Sequence, residues 1–201
     1  MTKRIKSKYS VCKKLKNVYN NLWGLLSKDY LRSVYTKNKI NMTPFGEVLN
    51  VKQSLRMFYS NIKERSFIFY MKTSTLSNSI TVDKLVSILE SRLDSVLFRS
   101  CLVASFNQAR QLINHGFVTV NGLQVNSSSK KLKKGDIVKL NDKFVNKDID
   151  IFIGIIRSRS LPNHLELDLN NLSIVFLWDV NLKSSYFPIN TNYSDILRFF
   201  R

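Results

Sequence analysis

Side chains able to do chemistry are unevenly supplied in this 201-residue chain: Lys and Arg number 32, Asp and Glu 14, and the formal net charge is +18. The cations come in patterned groups. Lys52, Arg56, Tyr59 and Lys63 recur at i, i+4, i+7 and i+11, which on one continuous helix makes a cationic face with a ring in it. Arg92 and Arg99 are seven residues apart and would share a second face. Gln108, Arg110, Gln111, Asn114 and His115 crowd polar donors into eight positions, and Lys130, Lys131, Lys133 and Lys134 form a cationic loop. Such groups neutralise phosphates and meet unpaired bases, so nucleic acid is the first partner to consider. The alternative for each group is a solvated basic face.

Catalytic chemistry finds less support. His115 and His164 are isolated, and Cys12 and Cys101 lie 89 positions apart without a CxxC partner, so neither a metal site nor a disulfide framework is expected. No GxSxG, HExxH, Walker A or GxGxxG pattern occurs. The expected reading is a non-enzyme with no cofactor and no small-molecule substrate. No apolar run approaches the roughly 18 to 20 residues of a membrane span, and no secretory signal is read at the basic start.

The elements that would position these groups follow from pattern. Residues 1–72 carry 16 basic and 3 acidic side chains, residues 73–147 carry 11 and 5, and residues 148–201 carry 5 and 6. Two basic regions thus precede a neutral one. Three segments are expected: a basic N-terminal helical domain (1–80), a small α+β module (81–147) and a C-terminal segment (148–201). Residues 1–42 hold short helical patches, with Tyr9 and Tyr19 among Lys3, Arg4, Lys6, Lys8, Lys13, Lys14 and Lys16. Val51, Leu55, Phe58 and Ile62 make the core stripe of an amphipathic helix, and MKTSTLSNSI (71–80) reads as a linker. A helix capped by Thr81 or Asp83 is expected to run to about Ser100, burying Leu85, Leu89, Leu93 and Val96. Ser105 with Gln108 is a capping-box pattern, and Gly116 suits a left-handed helix stop. Asn121-Gly122 between alternating apolar residues predicts a hairpin, and Gly135-Asp136 a turn into another strand. Short strands are expected among Ile149 to Ile156 and Leu172 to Trp178. The fold class is α+β.

LESRLDSVLFRS (89–100), NQARQLINHGFVTVNGLQVN (107–126) and KKGDIV (133–138) closely resemble the RNA-binding module named for ribosomal protein S-four. The same module occurs in tyrosyl-tRNA synthetases, pseudouridine synthases and a ribosome-rescue heat-shock protein. Arg92-Leu93-Asp94 also resembles the triplet around the catalytic aspartate of pseudouridine synthases, but Ser91 stands where those have glycine, and Asp94 is better read as a partner of neighbouring arginines or as a polar contact within the module. The flanks narrow the choice. FGEVLNVKQSLRMFYSNIKERSF (45–67) is similar to the S-four family's helical-domain signature, SKYSVCKKLKNVYNNLWG (7–24) to its amino-terminal segment, and LPNHLELDL (161–169) and the closing Phe199-Phe200-Arg201 to its C-terminal ones. By this resemblance the chain is identified as a member of the S-four family of small-subunit ribosomal proteins. Ser66 replaces a family Gln, a Pro-Gly-x-His-Gly turn is absent between Gly24 and Phe45, and Cys12 alone cannot reproduce the zinc site of some members.

The resemblance implies a structural constituent of the small subunit. It would bind small-subunit rRNA early at a multi-helix junction, border the mRNA entry path, touch the fifth small-subunit protein and influence decoding accuracy. It also implies an inserted module, with the C-terminal segment packing back on the N-terminal domain. A free-standing RNA-modifying or ribosome-rescue protein is the alternative. Lys outnumbers Arg 21 to 11 and Asn reaches 20, an A/T-rich codon signature. Together with resemblance beginning almost at Met1, this favours an organelle-encoded protein of the mitochondrial ribosome, a plastid or A/T-rich bacterium being the runner-up.

Overall fold

The computed structural model describes residues 43–77, 80–141 and 161–184. The basic run of residues 1–42 and the apolar run from Ile149 to Ile156 lie outside them. The chain divides into two compact units, with residues 43–68 in the first and the described residues from 69 to 184 in the second.

In the first unit α1 (Pro44–Phe58) starts where the sequence can start a helix: Pro44 occupies the first turn and the Thr43 hydroxyl accepts from the Gly46 amide at 3.2 Å. Leu55, Phe58 and Ile62 of the expected stripe are buried. The helix, however, ends at Phe58, because Ser60 and Asn61 both take positive φ (57° and 53°), and α2 (Glu64–Thr75) begins only after that turn. The Ser-Asn pair was the available signal, since Asn enters the left-handed region more readily than most residues. The break changes the face predicted for this helix. Tyr59 turns inward to 1% exposure against the edge of Phe58, and Lys63 is no longer on α1.

The expected linker is helical as far as Thr75. Its hydroxyls explain how: Thr73 donates to the Phe69 carbonyl at 2.9 Å, Ser74 to Met71 at 2.7 Å and Thr75 to Lys72 at 2.8 Å, so side chains that usually compete with the helix are satisfied on its own carbonyls.

The second unit is an α+β body. The helix expected over 81–100 is two, α3 (Thr81–Glu90) and α4 (Leu93–Arg99), separated by Ser91 and an extended Arg92 (φ −72°, ψ 142°). The break is held by main-chain pairing with the loop ahead of the third strand: Leu93 donates to the Lys130 carbonyl at 2.9 Å, and Leu132 donates to Ser91 at 2.8 Å. Neither Thr81 nor Asp83 caps α3, whose N-cap is Ile80; Asp83 instead accepts from the Leu182 amide.

The motifs around α5 (Phe106–Asn114) form as expected. Ser105 accepts from the Gln108 amide, and Gln108 reaches back to the Ala104 amide. At the other end Phe117 donates to Leu112 and Gly116 to Ile113, a Schellman closure with Gly116 at φ +77°. Asn121 (φ 52°) and Gly122 (φ 80°) turn β1 (Val118–Val120) into β2 (Leu123–Gln124). With β3 (Ile137–Leu140), β4 (Leu165–Asp168) and β5 (Ser173–Phe176) they make one antiparallel sheet in the order β2-β1-β3-β5-β4. Alternation sends Val118, Val120, Val138, Leu140, Ile174 and Phe176 inward, where Leu85, Leu89, Leu93, Val96, Ala109 and Ile113 are also buried.

This sheet departs from the expected three-segment plan. Residues 165–176, assigned from sequence to a segment returning to the N-terminal domain, extend the module's own sheet because β5 pairs with β3 in register, Val138 opposite Ile174. Residues 185–201, on which the rest of that expectation falls, lie outside the described residues.

Candidate RNA interface

The sequence-derived RNA residues separate into an inner and an outer set. In the first unit Lys52 and Arg56 both pair with Glu64, and Arg56 Nε also donates to the Ile62 carbonyl at 3.0 Å. Lys52 is 6% exposed. With Tyr59 buried as well, the exposed cationic face expected from Lys52, Arg56, Tyr59 and Lys63 does not form; only Lys63 of the four is fully exposed. The reason is the helix break, which brings the first-turn carboxylate of α2 to the cations of α1. Glu64 was visible in the sequence, but its spacing from them had meaning only once the turn was known.

Arg92 and Arg99 likewise face inward. Arg92 grips Asp94 with both ends of its guanidinium, Nε to Oδ1 at 2.9 Å and Nη2 to Oδ2 at 2.7 Å, while Nη1 donates to the Tyr70 hydroxyl at 2.7 Å. Its charged carbon sits 5.8 Å from the Tyr70 ring centre. Burial works against the charge, yet the bonds and charge of Asp94, with Tyr70, hold the Arg92 pKa above its ordinary value. Arg99 forms a second fork on the fully buried Glu90, at 3.1 and 2.7 Å.

Asp94 has a further partner on α5. Arg110 Nε donates to its Oδ2 at 2.9 Å, while a quarter of the Arg110 side chain remains exposed. One buried carboxylate therefore aims a surface cation. The main chain on either side of Asp94 aims others: the Asp94 amide bonds the Ser128 carbonyl at 3.3 Å, and Arg92 bridges Lys131, so the loop bearing Lys130 and Lys131 is laid along the helix break. Lys131 and Lys133 are exposed and Lys130 is half-buried. Lys134 is exposed and lies 3.9 Å from Asp179, a surface pair of small energetic consequence. The turn holding Lys133 and Lys134 is fixed by Asp136, which accepts from the Lys133 amide at 2.7 Å and from the Asn121 side chain at 2.9 Å. Asn121 also accepts from the Ile137 amide, tying the hairpin tip to the basic turn.

Gln111, Asn114 and His115 are exposed along α5, beside the half-buried Gln108. Residue type and spacing identified these surface groups but missed the role of the Arg92–Asp94 segment as the hub that positions them. A signal existed in the charge reversal within Arg-Leu-Asp, which a continuous helix would have spent on solvent.

Among the described residues no cluster of three His, Cys, Asp or Glu side chains could hold a metal, and no helix is long and apolar enough to cross a membrane. His164 is buried beside Phe176 with neither ring nitrogen hydrogen-bonded. Its desolvation lowers its pKa; Glu90 opposes that shift and Arg99 adds to it.

Residues 91–138 match the S4 domain family, which takes in the helix break, α5, the hairpin and the basic loop. Over longer stretches the chain is similar to proteins called small ribosomal subunit protein uS4. One from Pelagibacter ubique is 33% identical over 195 residues, covering 94% of both chains. One from Brucella anthropi is 34% identical over 180 residues, with 86% and 85% covered, and one from Rhodospirillum rubrum is 28% identical across 100% of this chain and 99% of its own. A domain match that includes the Arg92–Asp94 hub and the lysine loop, with likeness running through nearly the full length of such relatives, shows that the chain belongs to the small ribosomal subunit protein uS4 family.

Proposed function

We propose that the protein is a structural constituent of the small ribosomal subunit that binds its rRNA through the face built on the Arg92–Asp94 break. The observation carrying this reading is the placement of exposed Lys131, half-buried Lys130 and part-exposed Arg110 on the buried Ser91–Asp94 segment, with exposed Lys133 and Lys134 on the turn that Asp136 fixes. Phosphates meeting such a face release counterions, and an irregular junction can select it by shape. Gln108, Gln111, Asn114 and His115 border this face on α5, and Lys63 offers a separate contact from the first unit.

The finer reading follows the family. The protein docks early on a multi-helix junction, organises the subunit body, borders the mRNA entry path and adjoins the fifth small-subunit protein, where it affects decoding accuracy. Its role is non-enzymatic. The A/T-type composition supports a mitochondrial, organelle-encoded ribosomal protein, with a plastid or A/T-rich bacterium the other source; the gene's genomic location decides between them.

A sucrose gradient tests the function class. Stoichiometric recovery with small subunits is expected, whereas a modifying or rescue factor would be substoichiometric or travel with large subunits. Arg110→Glu combined with Lys131→Glu is expected to weaken binding to small-subunit rRNA fragments, and unchanged affinity across a salt titration would exclude this face.

A further inference from the structure

At the C-terminal end of α5 a recess of about 280 Å³ is lined by Gln108, Gln111, Leu112, His115 and Phe117. The first four residues lie at i, i+3, i+4 and i+7, on one stripe of the helix. Phe117 joins them because the Schellman closure bonds its amide to the Leu112 carbonyl, folding its ring back toward that end. The recess therefore has apolar walls from Leu112 and Phe117 and a polar margin from two amides and an imidazole. The ring centres of His115 and Phe117 are 6.4 Å apart, with planes 32° from parallel. Two stacking contacts at about 3.5 Å each span about 7 Å, so the rings stand at nearly the separation a flat heterocycle would occupy between them. Gln111 and His115 are exposed, so the recess opens to solvent on their side.

We infer that this recess takes a single unstacked RNA base, wedged against His115 and Phe117 and hydrogen-bonded at its edge by the Gln111 amide and by the Gln108 NH2, whose carbonyl oxygen is held by the Ala104 amide. Amides carry both a donor and an acceptor, as base edges do, and a base splayed from a loop or bulge is the RNA feature a protein reads most readily. The site contains neither lysine nor arginine and so differs from the lysine loop, which meets phosphates. This inference rests on the RNA-binding reading above and adds one base contact to recognition by shape.

The test uses the full-length chain and small-subunit rRNA. Ultraviolet cross-linking, nuclease digestion and mass spectrometry should find one nucleotide attached within residues 108–117. Gln111→Ala with His115→Ala should lower affinity about tenfold, in the range for removing one base stack, and leave the salt dependence unchanged because no phosphate contact is removed. An abasic residue at the cross-linked position should weaken the wild type equally and the double variant no further. Tight wild-type binding with equal affinity for the double variant, or cross-links confined to residues 127–134, overturns the base site while leaving rRNA binding standing. Failure of the wild type to bind the rRNA removes the RNA reading and the base site together.

Discussion

The arginines around the helix break and the lysines of the 130–134 loop are both cationic clusters in the sequence, yet they do opposite things. Arg92 and Arg99 are withdrawn from solvent and forked onto Asp94 and Glu90, whose side chains are 1% and 0% exposed. Lys131, Lys133 and Lys134 project from a loop whose main chain, rather than whose charge, is anchored. Arg suits the first task because its planar guanidinium satisfies a carboxylate with two parallel bonds. Lys suits the second as a hydrated point charge on a flexible stem. Arg110 stands between them, fixed through Nε by Asp94 and still partly at the surface. The lesson is that a basic residue's function here depends on its distance from one of few carboxylates.

The largest effect that could break this contrast is on stability. Asp94→Ala leaves two guanidinium groups without their shared acceptor and is expected to cost about 3–5 kcal/mol, the range for removing one partner of a buried pair. Chemical denaturation measures this, and a loss below about 1 kcal/mol would mean that the inner arginines are not held as described. Neutralising Lys131 and Lys133 to Ala should instead leave stability within about 0.5 kcal/mol while weakening rRNA binding. A large drop in thermal midpoint would erase the distinction between the two clusters.

Backbone changes sharpen the comparison with a smaller effect. Gly116→Ala places a side chain at φ +77° and against the Gln124 side-chain amide. Gln124 is exposed and can move, so the cost is mainly the left-handed strain of about 1–2 kcal/mol. The smallest effect is a pH dependence next to the inner set. His164 is surrounded by Glu90, Arg99 and Phe176 and has a depressed folded-state pKa. The unfolded chain therefore binds more protons on acidification, so the His164 contribution is fully present above its unfolded pKa near 6.5 and declines as pH falls below it. His164→Leu should flatten that part of the stability profile; an identical profile in the variant would show that His164 does not contribute to it.

Local rules read the region from Ser105 to Asp136 closely, because its signals act over short distances: the Ser105–Gln108 cap, the Gly116 stop, the Asn121-Gly122 turn and the Gly135-Asp136 turn all form. Most of what escaped was set by partners far along the chain. The kink at Arg92 exists because Lys130 and Leu132, some forty positions away, supply its hydrogen bonds, and within residues 81–100 only the charge reversal in Arg92-Leu93-Asp94 hints at it. The continuation of α2 through Ser74 depends on hydroxyls finding their own carbonyls. Strands β4 and β5 could be expected as strands, but their membership in the module's sheet required the β3–β5 pairing. At the candidate interface, residue type and spacing located the cations without revealing which were already occupied. Lys52, Arg56, Tyr59, Arg92 and Arg99 share their periodicity with surface residues, and only the positions of Glu64, Glu90 and Asp94 and the inward turn at Tyr59 separate them.

The most direct test of the account is the salt dependence of small-subunit rRNA binding by the wild type and by a variant with Lys130, Lys131, Lys133 and Lys134 all replaced by Ala. If the loop meets phosphates, the slope of log K against log salt should become shallower by about 2.8 to 3.6, at about 0.7 to 0.9 for each phosphate no longer neutralised, with the thermal midpoint retained. An unchanged slope in a folded variant would contradict the assignment of the outer cations to RNA.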